Sequence, residues 1–187
     1  MQAHIVRKIA KSKEVRGLSQ NGFTLIELLV VIAIFVVILE LATPAFGAML
    51  VKNRIIALDT KLASDLSYAR QEAMRLTSQV VVCPFSDMRG CGADWSKGWR
   101  IFKDENVNQE FDAGEPELRV INLIEGALDI KLASNQLIVF GPAGFPIIAP
   151  ESIQVSGVAG TVKYQTVVEI SPIGMVSRSP QIATTAK

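Results

Sequence analysis

Histidine is nearly absent from this chain: among 187 residues the single imidazole is His4. Cysteine is almost as scarce, with Cys83 and Cys91 the two thiols, and there is no glycine-rich phosphate loop. General-base chemistry and zinc sites draw first on imidazole and thiolate, and nucleophilic catalysis needs a base beside the nucleophile. Neither a Ser/His nor a Cys/His arrangement can be built beyond residue 4, so no enzyme is expected. Aromatic residues make up 6%, and 19 Lys and Arg stand against 18 Asp and Glu. Nucleic-acid binders usually carry a basic stripe and stacking rings, so nucleic acid is not an expected partner. The sequence also lacks internal repeats and low-complexity tracts.

What it does have is a long apolar run. Gly22-Phe23-Thr24-Leu25-Ile26-Glu27 opens a stretch with no charge between Glu27 and Glu40. The twelve residues between these acids reach only about 18 Å as a helix, short of the roughly 30 Å hydrocarbon core. The pattern resumes at Leu41, so Phe23 to about Phe46 is expected to span a membrane, with Glu27 near one face. Glu40 then lies at the outer interface or pairs with a partner subunit; both readings stay open. Upstream, Arg7, Lys8, Lys11, Lys13 and Arg16 face one acid, Glu14. A basic flank before an apolar span stays cytoplasmic, which puts the rest of the chain across the membrane. A secretory signal would show an apolar core of about 7–15 residues and then a small-x-small cleavage site. Here the polar-to-apolar boundary precedes the span instead.

The hexad Gly22–Glu27 followed by an apolar run resembles the class III signal of type IV pilins and pseudopilins. The resemblance implies cleavage between Gly22 and Phe23 by the prepilin peptidase, N-methylation of Phe23, and an assembly role for Glu27. A carboxylate in lipid is costly unless paired, and the free amine of a neighbour's Phe23 would supply the opposite charge. Removal of residues 1–22 takes away His4 and leaves a mature chain with a net charge of −3.

The expected organisation is a leader (1–22), a membrane and assembly half-helix (23–51), an amphipathic half-helix (52–78) and a β domain (79–187). Ile55, Leu58, Leu62, Leu66, Ala69, Ala73 and Leu76 recur every three or four residues, a helical stripe. Lys52, Arg54, Asp59, Lys61, Asp65, Arg70, Glu72 and Arg75 are expected on the other faces. The helix is predicted from about Phe23 to about Thr77, loosened near Thr43–Gly47 by Pro44. Beyond Ser78, β-branched runs predict strands at Val80–Cys83, Trp99–Lys103, Leu118–Leu123, Leu128–Leu132, Leu137–Phe140 and Val162–Ile170, with a weaker one at Met175–Arg178. A helix followed by antiparallel strands reads as α+β, pilin-like, with the stripe packed on a sheet.

Val80-Val-Val-Cys83-Pro, Cys91, Trp95 and Gly98-Trp99-Arg100-Ile101-Phe102-Lys103-Asp104 resemble the FimT/FimU branch of GspH-type minor pilins, as does Leu66-Ser-Tyr-Ala-Arg70-Gln-Glu-Ala73. That resemblance implies a subunit of the complex that primes a type IV pilus, held first in the bacterial inner membrane with its C-terminal domain periplasmic and then incorporated at the pilus tip. Its implied partners are other minor pilins and the major pilin. A type II secretion pseudopilin shares the N-terminus. Some FimT-like members bind DNA through a C-terminal Gly-Arg-x-Arg motif; Gly174-Met175-Val176-Ser177 stands at the matching place, with Arg178 alone beyond it.

Cys83 and Cys91, once translocated, meet an oxidising compartment, so a structural disulfide is expected. Asp104, Asn106, Asn108, Asp112 and Glu115 occupy positions 1, 3, 5, 9 and 12 of a loop with oxygen-ligand spacing suited to calcium. Gln109 stands where such loops carry glycine, and a strand precedes the loop rather than a helix. A solvated turn built by Asn and Asp is the competing reading.

Overall fold

The computed structural model describes residues 23–87, 90–123, 128–132, 137–150, 152–179 and 182–185, with the backbone alone of 41–45 and 129. The chain divides into two compact units, Met1–Glu40 and Leu41–Lys187. Helix α1 is assigned over Leu25–Leu76 and remains helical through Pro44. In the first unit every side chain from Phe23 to Glu40 is exposed, including Leu25 at 80% and Phe35 at 59%. A helix that is apolar all round finds its cover in lipid or in other chains. The expected span to Phe46 runs through residues 41–45, whose side chains lie outside the described ones; among the described residues no helix is long and apolar enough to cross a membrane. The described apolar segment Leu25–Glu40 has sixteen residues, about 24 Å of helix.

In the second unit the helix follows from its sequence. Val51 to Leu76 contains neither glycine nor proline and is rich in Leu, Ala, Lys, Arg, Gln and Glu, good helix formers. It ends where Thr77 turns left-handed (φ 49°) and the Ser78 amide donates to the Ala73 carbonyl at 3.2 Å, satisfying an orphan acceptor.

Two five-stranded antiparallel sheets follow. The first has the order β3-β2-β1-β5-β6, from β1 (Gln79–Pro84), β2 (Gly98–Asp104), β3 (Glu117–Asn122), β5 (Ile138–Phe140) and β6 (Pro146–Ile148). The second runs β10-β8-β7-β4, from β4 (Leu128–Leu132), β7 (Ser152–Ala159), β8 (Val162–Ile170) and β10 (Ile182–Thr185), with β9 (Val176–Arg178) also paired to β8. A 3-10 turn at Trp95–Lys97 leads into β2. All seven predicted strands are found; β6, β7 and β10 are additional.

The side-chain alternation of a strand sorts residues between two cores. Val80 and Val82 of β1, Trp99 and Ile101 of β2, and Ile138 and Phe140 of β5 face the helix stripe Ile55, Leu58, Leu62, Leu66, Ala69 and Ala73. The second sheet adds Ile130, Ile153, Val155, Val168 and Ile170 to the same core. Val81, Cys83, Phe102 and Val139 form a smaller core on the opposite face of the first sheet, covered by Cys91, Phe111, Leu137 and Ile148. Leu76 is half-buried.

Two residues expected on the solvent faces are not there. Asp59 and Asp65 are both buried in the stripe, at 5% and 0% exposure. Positions 58–59, 62 and 65–66 recur every three or four residues, so they share one helix face whatever their side chains. Charge type misassigned them; geometry placed them.

Candidate functional site

Three regions carry the chain's distinctive chemistry: the start of the helix, the pair of loops over the small core, and the buried carboxylates of the helix face.

At the helix start, Gly22 lies outside the described residues, and so does the leader half of the expected cleavage boundary. Phe23 is 78% exposed. Thr24 caps α1: its Oγ1 accepts from the Glu27 amide at 3.3 Å, and its carbonyl accepts from the Leu28 amide at 3.2 Å. Thr-x-x-Glu is the spacing of a capping box, a signal present in the sequence reading but not used there. Glu27 therefore sits in the first turn, exposed, beside the positive end of the helix dipole. Glu40, at the end of the same unit, is also exposed.

On the outer face of the first sheet, Cys83 and Cys91 form the expected disulfide, with Cα atoms 5.6 Å apart. Arg100, itself 7% exposed, organises the loop that this bond closes. Its Nη1 donates to the Gly90 carbonyl at 2.7 Å and Nη2 to the Ser86 carbonyl at 3.4 Å. Its Nε donates to Glu117 Oε1 at 3.3 Å, and the guanidinium stacks over Phe111 at 4.5 Å and Phe85 at 5.6 Å. Phe111 packs edge-on against Phe102 at 5.2 Å. The disulfide loop and the acidic loop thus share one cation.

The acidic loop brings its five predicted residues together. Asp104 is buried and its two oxygens accept from the Asn108 and Gln109 amides at 3.2 and 2.9 Å. Asn106 and Asn108 donate their side-chain amides to Asp112 Oδ2 at 2.9 and 2.7 Å, which holds the Asp112 carboxyl below the usual carboxylate value. Glu115 accepts from the Glu105 amide at 2.9 Å and the Asp112 amide at 3.1 Å. Val107 and Gln109 take positive φ, 62° and 66°, to close these turns. Among the described residues no group of three or more His, Cys, Asp or Glu is placed to hold a metal. A cation entering here would compete with the loop's own N–H donors.

On the helix face the two buried aspartates differ. Asp65 accepts from Trp99 Nε1 at 3.0 Å, from Lys61 Nζ at 3.1 Å and from Arg119 Nη1. Arg119 also lies over the Tyr68 ring at 3.8 Å. This carboxylate ties α1 to β2 and β3. Asp59 pairs with Arg178, Nη1 to Oδ2 at 3.6 Å, and among the described residues its Oδ1 has no hydrogen-bond partner. Burial pushes the Asp59 carboxyl up, and Arg178 partly offsets that. Arg178 donates to Thr60 Oγ1 at 2.7 Å, so the one arginine near the Gly174–Ser177 position is engaged by the helix.

A fourth junction was not visible in sequence. Arg70 Nε donates to the Gly144 carbonyl at 2.9 Å. Gly144 and Gly174, at φ 78° and 76°, bring the β5–β6 and β8–β9 turns into contact. A Cβ at Gly174 would lie 2.3 Å from the Gly144 carbonyl oxygen. Only glycine is tolerated at such a contact.

Residues 60–174 match the family described as Type II transport protein GspH, and residues 18–39 match the prokaryotic N-terminal methylation motif. The chain is 33% identical over 139 residues to the pilin-like protein PilA1 of Thermus thermophilus, across 69% of this chain and 81% of that one. It shares its fold with the crystal structure of the Pseudomonas aeruginosa type IV minor pilin FimU. That likeness has a TM-score of 0.51 and 21% identity, across 69% of this chain and 90% of that one. The capped apolar helix, the stripe packed on antiparallel sheets and the match over residues 60–174 converge: this chain belongs to the GspH family, as a type IV minor pilin or pseudopilin of the GspH/FimU type.

Proposed function

We propose that this chain is a minor type IV pilin, a structural component of the complex that primes the pilus and occupies its tip. It is processed by the prepilin peptidase between Gly22 and Phe23 and held in the inner membrane by its N-terminal helix, with the β domain in the periplasm. The observation that carries the reading is the helix itself. From Leu25 to Glu40 it is exposed on every side and apolar apart from Glu27 and the terminal Glu40. Such a surface suits transfer from lipid to the helices of other minor pilins and the major pilin. Glu27, alone in the first turn, is the group to meet a neighbour's N-terminal amine, setting register rather than adding stability. Its role is structural, without catalysis.

Mass spectrometry of membrane-purified chain tests this directly, with N-methyl-Phe23 expected as the first residue. Glu27→Ala should insert normally, since the change removes a costly charge from lipid, yet fail to enter pili. A chain still beginning at Met1 beside an active peptidase, or normal piliation by the Glu27 variant, would overturn the reading.

A further inference from the structure

Large apolar side chains are ordinary on a surface when scattered and mark a contact site when gathered. Among the described residues beyond Ile56, nine of them are exposed, and five lie at one place in the second unit: Met74, Phe145, Ile147, Ile173 and Met175. Two turns of one pattern build that place. Gly141-Pro-Ala-Gly-Phe145 joins β5 to β6, and Ser171-Pro-Ile-Gly-Met175 joins β8 to β9; each puts proline second and glycine fourth. In each turn the fourth amide donates to the first carbonyl at 2.8 Å, and the first amide to the fifth carbonyl at 2.9 Å. Proline fixes φ in the first half of such a turn, and glycine takes the left-handed φ in the second.

The turns meet through their glycines, and the helix supports them from one side. Met74 lies over Gly144, where a Cβ would meet its Sδ at 2.7 Å, and Ile147 lies over Gly141, where a Cβ would meet its Cδ1 at 3.1 Å. No charged residue occurs in 141–149 or 170–177. Arg70 lies against both glycines, partly buried, with Nε on the Gly144 carbonyl. Among the described residues no carboxylate pairs with it. The surface therefore combines an aromatic ring, two methionines and an uncompensated guanidinium, the composition enriched in the cores of protein interfaces. Because both turns are already fixed, little ordering remains to oppose binding.

We propose that these paired turns are a docking platform for a segment of a different protein, one that carries large apolar side chains on either side of a carboxylate. The apolar side chains cover Phe145, Ile173 and Met175, and the carboxylate pairs with the Nη groups of Arg70. A second copy of this chain meeting the same surface would set Arg70 against Arg70, a repulsive pairing. The proposal goes beyond the assembly role given to the N-terminal helix and does not depend on it.

The test is photo-crosslinking of the full chain in the cell that makes it, with p-benzoylphenylalanine at Ile173 and the linked peptide mapped by mass spectrometry. One protein adduct is expected, linked within about four residues, one helical turn, of an Asp or Glu that large apolar residues flank. Phe145→Ser with Met175→Ser should lower its yield at least about 10-fold, since two apolar contacts are lost. Both side chains are exposed, so the Tm of that variant should stay within the range of surface changes. Changing the mapped carboxylate to its amide should also lower the yield at least about 10-fold. The same photo-probe at Val158, an isolated exposed position on β7, should not give this adduct. No adduct above the Val158 level, a link to lipid or to a second copy of this chain, or a mapped segment without a carboxylate would overturn the proposal. So would a yield unchanged in the double variant or in the amide variant of the partner.

Discussion

Removing Asp65 should cost the β domain about 3 kcal/mol. The carboxylate has no solvent access and receives three donors. Truncation to alanine leaves the buried Trp99 indole N–H, bonded at 3.0 Å, without an acceptor. An orphaned buried donor costs about 1–3 kcal/mol. Arg119 and Lys61 keep 35% and 49% of their side chains in solvent and rehydrate on losing the partner. Such screened pairs contribute about 0–1 kcal/mol each. The sum lies at the low end of the 3–5 kcal/mol typical of breaking a buried pair. Asp65→Asn keeps an acceptor for the indole but loses the charge and the second acceptor, turning an NH2 toward the partly solvated Lys61 and Arg119, so about 1–2 kcal/mol is expected. Urea unfolding of the detergent-solubilised full chain, followed by tryptophan fluorescence, reads the difference. With a slope of about 2 kcal/mol per molar, the alanine variant's midpoint drops by about 1.5 M. Arg119→Ala should then matter less in the Asp65→Ala background than in the parent. An alanine variant within about 0.5 kcal/mol of the parent, the usual range of surface changes, would refute the clamp.

Three further outcomes are expected. Asp59, raised by burial, holds its proton in the folded chain at pH values where the unfolded chain has released it. Its contribution to stability is therefore full below the ordinary value of 3.8 and lost as pH rises through the raised value. Asp59→Asn should flatten the fall in Tm over that rise, and an unchanged pH profile would refute it. Replacing Cys83 and Cys91 together by alanine should cost about 2–3 kcal/mol from the short closed loop, read as a lower Tm; no change would mean that Arg100 alone holds the loop. Asp104→Ala removes the acceptor for two loop amides and should cost about 1.5–3 kcal/mol, while millimolar calcium leaves the parent's Tm unchanged. A calcium-induced rise in Tm that vanishes in Asp104→Ala would instead assign the loop to a cation.

The legible parts of the fold are those where one local signal dominates. The helix expected from about Phe23 to about Thr77 is found at Leu25–Leu76, because good helix formers fill its second half and Thr77 and Ser78 supply the stop. The strands found in advance are β-branched runs bounded by Gly and Pro. Those missed lack that signal. β6 is three residues beginning at Pro146, β7 is diluted by Ser152, Ser156 and Gly157, and β10 is the short run Ile182–Thr185. Spacing marked the five oxygen-bearing residues of the acidic loop, but which hydrogen bonds they make depends on backbone turns at Val107 and Gln109. Asp59 and Asp65 show the limit of reading charge as exposure. Their partners Arg178, Trp99 and Arg119 are 34 or more residues away, beyond any local window.

The strand order carries a consequence for how this domain reaches its native state. The chain lays down β1, β2 and β3 of the first sheet, then places β4 at the edge of the second, and only afterwards returns to supply β5 and β6. β4 has no strand to pair with until β7 arrives, roughly twenty residues later. Neither sheet is therefore a contiguous stretch of sequence, and no single cut divides the domain into two self-sufficient halves. A chain emerging from its N-terminus presents an unpaired β4 until β7 is in place. Truncation anywhere before Ile170 should therefore yield not a smaller folded domain but a chain open to proteases.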